Sequence, residues 1–378
     1  MIVLGIESSC DETAAAVVEL RDRNGKPAKI GDGNKIDPVC VLHSNVVATS
    51  MDLHAVYGGV VPEIAARSHI EAIMPVINEA LAQAKRTWDD IDAIAVTYGA
   101  GLGGSLLIGV LSARTLAITK GKPLYAINHV EGHVYANFIA EVNGDNPLLE
   151  VIGSQLPKKT PEFPVLALIV SGGHSQIALF RNHFDYTLLG QTQDDAIGEA
   201  FDKVAKIIGL PYPGGPSVEN KAKEGDPHAF DFPKAKLAGK YDFSFSGLKT
   251  AVLRASQAAV GADFTLPSRE LPERLTDAQK ADIAASFVRV ANETVVDKLL
   301  LAFEEFKPKS VVIAGGVAAS TPLREHLAER LPIGIDYTAF KLCTDNGAMI
   351  ATLGCFTALH GRPQADPYTL DIAPNLSM

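Results

Sequence analysis

Ile2-Val3-Leu4-Gly5-Ile6-Glu7-Ser8-Ser9-Cys10-Asp11-Glu12-Thr13, followed by mostly apolar residues as far as Leu20, reads as a strand, a tight polar turn and a returning strand. Val165 to Phe180 repeats the device, with Ser171-Gly172-Gly173-His174-Ser175 as the turn. Each copy opens a run of strand patterns followed by helix patterns. The chain is therefore expected to be duplicated, as two α/β domains with a cleft between the two hairpin turns.

This organisation resembles the two-lobed ASKHA plan of actin, Hsp70 and the sugar kinases, an α/β fold of duplicated ribonuclease-H-like domains with a nucleotide between the lobes. A likeness of plan fixes no reaction. Residues 1–127 together with 348–378 are expected to form the N-terminal lobe and 128–347 the C-terminal lobe, with the metal and nucleotide site at the cleft. A closing helix from Ala348 to His360 returns the chain to the first lobe. Segments 21–38, 141–163 and 255–277, polar or punctuated by Gly and Pro, read as surface insertions.

A chain of 378 residues with 47% hydrophobic content carries enough apolar side chains for two cores. Met1 to Ile6 lacks the basic start of a signal peptide, and no apolar run reaches the roughly 20 residues that span a bilayer, so a cytoplasmic protein without membrane contact is expected. Cys10, Cys40, Cys343 and Cys355 form no C-x-x-C pair, which points to neither a disulfide framework nor a thiolate metal site. The net charge of -10 disfavours broad attraction to polyanions, so nucleic-acid contact needs a local basic patch or a partner protein.

His129-Val130-Glu131-Gly132-His133 sets two imidazoles four residues apart, on one face if the segment is helical, where they chelate a single ion if a third ligand joins them. In a zinc-peptidase helix the glutamate directly follows the first histidine, whereas Glu131 lies two positions on, about 200° around the helix. The peptidase base is thus misplaced. Asp345, after an expected strand around Phe340 to Cys343, reads either as a helix N-cap or as the carboxylate of a two-His-one-carboxylate site suited to Fe(II) or Zn(II).

Four loops place glycine after an apolar run: Gly99 to Gly104, Ser171 to Gly173, Pro213 to Pro216 and Ala314 to Val317. Glycine lets backbone N–H groups approach a phosphate, and converging loops of this kind suggest a nucleotide. Gly99 to Gly104 matches the dinucleotide fingerprint, but no Asp or Glu stands between Asp92 and Glu131 to bind a ribose, which favours tight helix–strand packing. Thr321 reads as the N-cap of a helix after the last loop, with Pro322 at its first position. Asp194 and Asp195 read as caps of the helix bearing Ala196, Ala200 and Val204, and Asp202 as a partner for ribose hydroxyls.

The strings Gly5 to Thr13, His54 to Glu63 and on through His69, Asn128 to His133, Val170 to His174, Gly198 to Lys203, Phe243 to Lys249 and Asp345-Asn346-Gly347 resemble, in order, those of the tRNA threonylcarbamoyladenosine biosynthesis transferases of bacterial and organellar type, formerly called glycoproteases. The resemblance implies transfer of threonylcarbamoyl from threonylcarbamoyl-AMP to the exocyclic amine of the adenosine 3′ of the anticodon in tRNAs reading ANN codons, with release of AMP. It implies His129, His133 and Asp345 as ligands of one divalent metal, usually Fe(II), and Ile169, Val170, Ser171, Gly172, Gly173, Asp202, Gly215 and Glu219 as the adenylate site. Three positions depart from the family pattern: Ser8 for threonine, Ala100 for proline, and Ser320 for an asparagine expected to touch the nucleotide. Serine keeps one donor but loses the amide's reach, so a weaker or water-mediated contact is expected there.

On this reading the metal polarises the threonylcarbamoyl carbonyl, glycine-loop N–H groups stabilise the departing phosphate, and Asp11 or Glu12 either accepts the amine proton or orders its turn. The stretch Lys234, Lys236, Lys240, Tyr241, Phe243, Phe245, Lys249, Arg254 is the local candidate for tRNA contact. A paralogous ASKHA-fold subunit and a small ATPase are the partners the resemblance implies. The rival readings are an ASKHA-fold small-molecule phosphotransferase, a non-catalytic nucleotide-binding partner subunit and a metallopeptidase.

Overall fold

In the computed structural model, which describes residues 1–335 and 337–378 and only the backbone of residue 34, the first part of the chain runs β1 (Ile2–Glu7), β2 (Glu12–Asp22), β3 (Pro38–Thr49), α1 (Met51–Ala55), α2 (Pro62–Gln83), β4 (Ala93–Gly99), α3 (Gly103–Lys120), β5 (Leu124–Asn128), α4 (His129–Tyr135), β6 (Ile139–Val142) and α5 (Pro147–Ser154). It continues through β7 (Val165–Val170), β8 (Ser175–Asn182), β9 (Asp185–Gln191), α6 (Ile197–Ile208), α7 (Gly214–Ala222), α8 (Ser246–Ala259), α9 (Leu271–Arg274), α10 (Asp277–Phe306), β10 (Ser310–Ala314), α11 (Thr321–Arg330) and α12 (Gly347–Leu359). Two units result, one of Met1–His54, Val60–Pro161 and Asp336–Met378, the other of Ala55–Gly59 and Glu162–Ile335.

Unit 1 holds a six-stranded sheet in the order β5-β4-β1-β2-β3-β6. β1 and β2 form the hairpin legible in the sequence, in register from Ile2 opposite Glu19 to Glu7 opposite Ala14. β4 joins β1 in parallel. Val3, Leu4 and Ile6 are wholly buried because helices cover both faces. α2 and α3 bring Ile73, Ile77, Val110 and Ala113 against Leu4, Ile6 and Val96. Full burial of each such Val, Leu or Ile side chain contributes about 1.5–3 kcal/mol. On the other face α12 lies so close that a Cβ at Gly347 would stand 2.5 Å from the backbone of Ala15 and Ala16.

Unit 2 holds a four-stranded sheet in the order β10-β7-β8-β9. β7 and β8 pair from Val165 opposite Phe180 to Val170 opposite Ser175, and β10 lies parallel to β7 as β4 does to β1. Each unit thus carries an antiparallel three-strand meander with a later strand added in parallel to its first member, which is the duplication expected from the two hairpins.

The units divide the chain differently from the expected lobes: 128–161 and 337–347 fall in unit 1, because β5 runs directly into α4 and β6 pairs with β3 of the same sheet. Phe340 to Leu342 is a short 3-10 helix rather than a strand end. Ser320, not Thr321, caps α11. Asp194 and Asp195 do not cap α6; Asp194 accepts from the backbone N–H groups of Phe245 and Ser246 at the start of α8, and Asp195 pairs with Lys203 at 2.8 Å.

Candidate active site

In unit 1 the strand β5 ends at Asn128, whose side chain accepts from the N–H groups of Val130 and Glu131 at 2.9 and 3.3 Å and so starts α4 immediately. The cap places His129 and His133 one turn apart on that helix, with ring centroids separated by 4.7 Å. Asp345 reaches both: its Oδ1 lies 3.5 Å from His129 Nε2 and 3.2 Å from His133 Nε2. Asn346 caps α12 by accepting from Met349 N–H, and it ties the preceding loop by donating to the carbonyls of Leu342 and Thr344. The capping role considered for Asp345 therefore belongs to Asn346, and Asp345 turns to the imidazoles.

Behind His129 stands Glu7, a carboxylate with no exposed surface at the end of β1. His129 Nδ1 lies 3.2 Å from Glu7 Oε2 and 3.1 Å from Ser9 Oγ, while Ser9 N–H and Thr97 Oγ1 donate to the carboxylate. Burial would raise the Glu7 pKa, but the charge and hydrogen bond of His129 outweigh it and hold the carboxyl below its usual range. Burial likewise opposes charge on His129, yet Asp345 and Glu7 raise its pKa to about 9. A carboxylate on Nδ1 fixes the tautomer that presents Nε2, the arrangement found behind metal-bound histidines. Glu7 was not among the residues singled out from the sequence; its one signal is an acid at the end of an otherwise apolar strand.

His133 supplies the fit test for a metal. Its ring is 1% exposed, and neither ring nitrogen has a hydrogen-bond partner, the 3.2 Å approach to Asp345 not being aligned as one. A buried imidazole left so costs free energy unless something else takes its lone pair. Two imidazole nitrogens and a carboxylate oxygen within 4.8 Å of one another suit a divalent cation. Burial raises the pKa of Glu131, two positions after His129 on α4, to about 7 against the opposing charge of Arg362.

Asp11 and Glu12 sit where the β1–β2 turn closes, with the Asp11 carbonyl accepting from Ser50 N–H and Oγ at 3.1 and 2.9 Å. Burial, then the charges of Asp345 and Asp11, raise the Glu12 pKa to about 10.

Unit 2 contains a cavity of about 570 Å³ between the glycine turns and the starts of α6, α7 and α11. Of the expected nucleotide residues, Gly172, Asp202, Gly215, Glu219 and Ser320 line it, whereas Ile169, Val170, Ser171 and Gly173 do not. Ile169 and Val170 have fully buried side chains in the sheet. Glycine is required where backbones meet: a Cβ at Gly198 would lie 2.7 Å from the Ser171 carbonyl, and Gly315 has φ +90°. Asp202 Oδ1 accepts from Gly214 N–H at 2.7 Å and so sets the N-terminus of α7, whose Gly215 faces open space. Phe201, Asn220, Lys223 and Glu325 also line the cavity and escaped sequence reasoning, since they follow from the meeting of three helices.

The basic stretch expected to meet tRNA is largely engaged within its own unit. Lys234 pairs with Glu293 and Asp297 at 2.9 and 2.7 Å, Lys240 with Glu305, and Lys249 with Asp195 at 3.3 Å. Phe243 and Phe245 are wholly buried, so they pack the unit and present no stacking face. Sequence proximity suggested a patch; the acids of α10 that neutralise Lys234 and Lys240 come from elsewhere in the chain.

The repeated meanders with their parallel additions define an ASKHA-fold protein, here with a His-His-carboxylate cluster and a glycine-lined pocket. A solved structure, full-length HypF in the phosphate- and nucleotide-bound form, has this fold with a TM-score of 0.53 and 12% identity, over 94% of this chain and 55% of that one. A family model described as tRNA N6-adenosine threonylcarbamoyltransferase matches residues 41–352. Proteins of that name from Thermomicrobium roseum and Symbiobacterium thermophilum are 45% and 47% identical, over 96% and 94% of this chain and 93% and 91% of theirs. The chain belongs to the tRNA N6-adenosine threonylcarbamoyltransferase family and is a transferase. Among the described residues no helix is long and apolar enough to cross a membrane.

Proposed function

We propose that the chain moves threonylcarbamoyl from threonylcarbamoyl-AMP to the exocyclic amine of the adenosine 3′ of the anticodon in tRNAs reading ANN codons, releasing AMP, in the cytoplasm. The observation that carries this reading is His133, buried beside His129 and Asp345 with neither ring nitrogen hydrogen-bonded, in a chain of this family. His129, His133 and Asp345 would hold one divalent ion, which would supply Lewis acidity at the transferred carbonyl. The mixed nitrogen and carboxylate donor set favours Fe(II), with Zn(II) the alternative. Glu7 keeps Nδ1 of His129 protonated and Nε2 available.

The glycine-rich cavity of unit 2 takes the adenylate, with backbone N–H groups at Gly172 and Gly215 near the phosphate and Asp202 or Glu219 accepting from ribose. In the reaction a C–N bond forms between the adenosine amine and the carbamoyl carbon, the bond from that carbon to the phosphate oxygen breaks, and AMP leaves. The amine gives up a proton, and Asp11 or Glu12 at the β1–β2 turn takes it. A paralogous ASKHA-fold subunit and a small ATPase are proposed as partners, which fits a chain of net charge -10 acting on tRNA. A small-molecule phosphotransferase would leave the histidine cluster without a task.

The test is transfer of labelled threonine from preformed threonylcarbamoyl-AMP to unmodified tRNA, for wild type and His133→Ala, with and without the partner proteins. Incorporation that collapses in the variant supports the assignment; no incorporation under any condition, with partners shown to be active, sinks it.

A further inference from the structure

After α12, residues 365–377 run along unit 1 as an irregular segment. Ala365 N–H donates to the Leu124 carbonyl at the start of β5, and Leu370 and Ile372 pack on the core of the unit. Arg114 on α3 grips the middle of the segment: its guanidinium donates to the carbonyls of Pro367, Tyr368 and Leu370 at 2.7, 2.6 and 3.1 Å. A guanidinium presents its donors in a fixed fork, so three carbonyls converging on one arginine fix the path of the backbone between them. Further on, Ala373 N–H donates to the Tyr98 carbonyl at 2.7 Å, and the Pro374 carbonyl accepts from Gly101 N–H at 3.1 Å.

From there the segment reaches the histidine cluster by two routes. The Ser377 carbonyl accepts from Asn128 Nδ2 at 3.0 Å, while Oδ1 of the same amide caps α4. The amide is thus pinned on one side by the segment and on the other by the helix that begins with His129. α4 has seven residues, too few to hold its place by helix propensity, so its anchors set where His129 stands. On the second route Gly101, held by Pro374, lies against Ser9: Leu102 N–H donates to the Ser9 carbonyl at 2.8 Å, and a Cβ at Gly101 would stand 2.6 Å from that oxygen. Ser9 Oγ in turn lies 3.1 Å from His129 Nδ1. We propose that residues 365–377 are a strap that positions His129 for the metal, with Arg114 the positioning residue that keeps the strap in place. This rests on the metal reading of the cluster and adds to it the groups that hold the ligands still, since a coordination site tolerates little displacement of its donors.

The experiment is a Zn(II) titration of the full chain by calorimetry, well below melting, for wild type, Arg114→Gln, Ala373→Pro and Ile77→Val. Ala373→Pro removes the N–H given to Tyr98, whereas Ile77→Val thins the core of the same unit without touching the strap. Both strap variants are expected to bind Zn(II) roughly tenfold more weakly than wild type, and Ile77→Val to stay within about twofold of it. Hydrogen exchange supplies a second readout. The N–H groups of Val130 and Glu131, which Asn128 caps, should exchange faster in the strap variants, and Zn(II) should slow exchange at Ala373 and Gly101 of the wild type, because coupling between two sites is reciprocal. A strap that serves stability alone lowers the melting temperature and leaves Zn(II) affinity unchanged, which overturns the proposal, as does an equal loss of affinity in Ile77→Val. Should neither strap variant fold, the absence of Zn(II) protection at Ala373 in the wild type overturns it without them. A wild type that binds no Zn(II) removes the metal reading and the proposal with it, which separates that failure from failure of the inference alone.

Discussion

Glu7 turns an ordinary histidine pair into an oriented one. Its carboxylate is wholly buried against His129 Nδ1, so Glu7→Gln keeps the shape and removes the charge that holds the imidazole tautomer. Metal affinity is expected to fall about 10–100-fold, read by metal titration, with melting within a few degrees of wild type. His69 makes a second residue-level statement. Its Nε2 is 3.0 Å from the Cys10 carbonyl and must donate, so Nδ1, 2.8 Å from Thr13 Oγ1, accepts, and the neutral ring braces the turn bearing Asp11 and Glu12. Burial lowers its pKa below 6.5. Above about pH 6.5 neither state is protonated and stability is full, while below it the unfolded chain takes up a proton that the folded one refuses. Stability should fall with pH by up to about 1.4 kcal/mol per unit from this residue, until the folded pKa is reached. His69→Gln, compared with wild type by denaturant unfolding at pH 7.5 and 5.5, should flatten that dependence. The histidine pair was legible because helical spacing is local. Glu7 was not, since only the pairing of β1 with β4 and the start of α4 at the end of β5 bring it under His129.

At the level of elements, α12 is held against β1 and β2 by the absence of side chains. Gly347→Ala would drive a Cβ to 2.5 Å from the Ala15 and Ala16 backbone, which cannot yield as a flexible side chain does. A loss of about 1–3 kcal/mol or more is expected by chemical denaturation, together with weaker metal binding, because Asp345 lies two residues before the displaced glycine. Stability unchanged in this variant would contradict the packing described. The two hairpins were readable from their alternation, whereas the capping box of Thr276 and Gln279 that starts α10 falls at the edge of the segment 255–277 read as a surface insertion. Caps chosen between adjacent polar residues were not readable, since Ser320 and Thr321 differ only in which hydroxyl meets Leu323 N–H.

Across the whole molecule the His129–His133–Asp345 cluster lies within unit 1 and the glycine-lined cavity within unit 2. Hydrogen exchange should separate them. AMP near 100 times its Kd is expected to slow exchange about 100-fold at most around the starts of α6, α7 and α11, and a divalent metal to protect α4 and the start of α12. Protection by AMP confined to unit 1 would sink the pocket assignment. The duplicated α/β plan, the absence of a long apolar span and the family strings were all determined by the sequence, because hairpin alternation, composition and motif order are properties of neighbouring residues. The tertiary structure alone decided that 128–161 builds onto the first sheet, that Glu7 sits behind His129, that the lysines from 234 to 249 are largely spent on internal acids, and that Ser320 rather than Thr321 caps α11. The first three depend on side chains brought together from distant stretches, where burial and charge, which no local pattern encodes, select the partner.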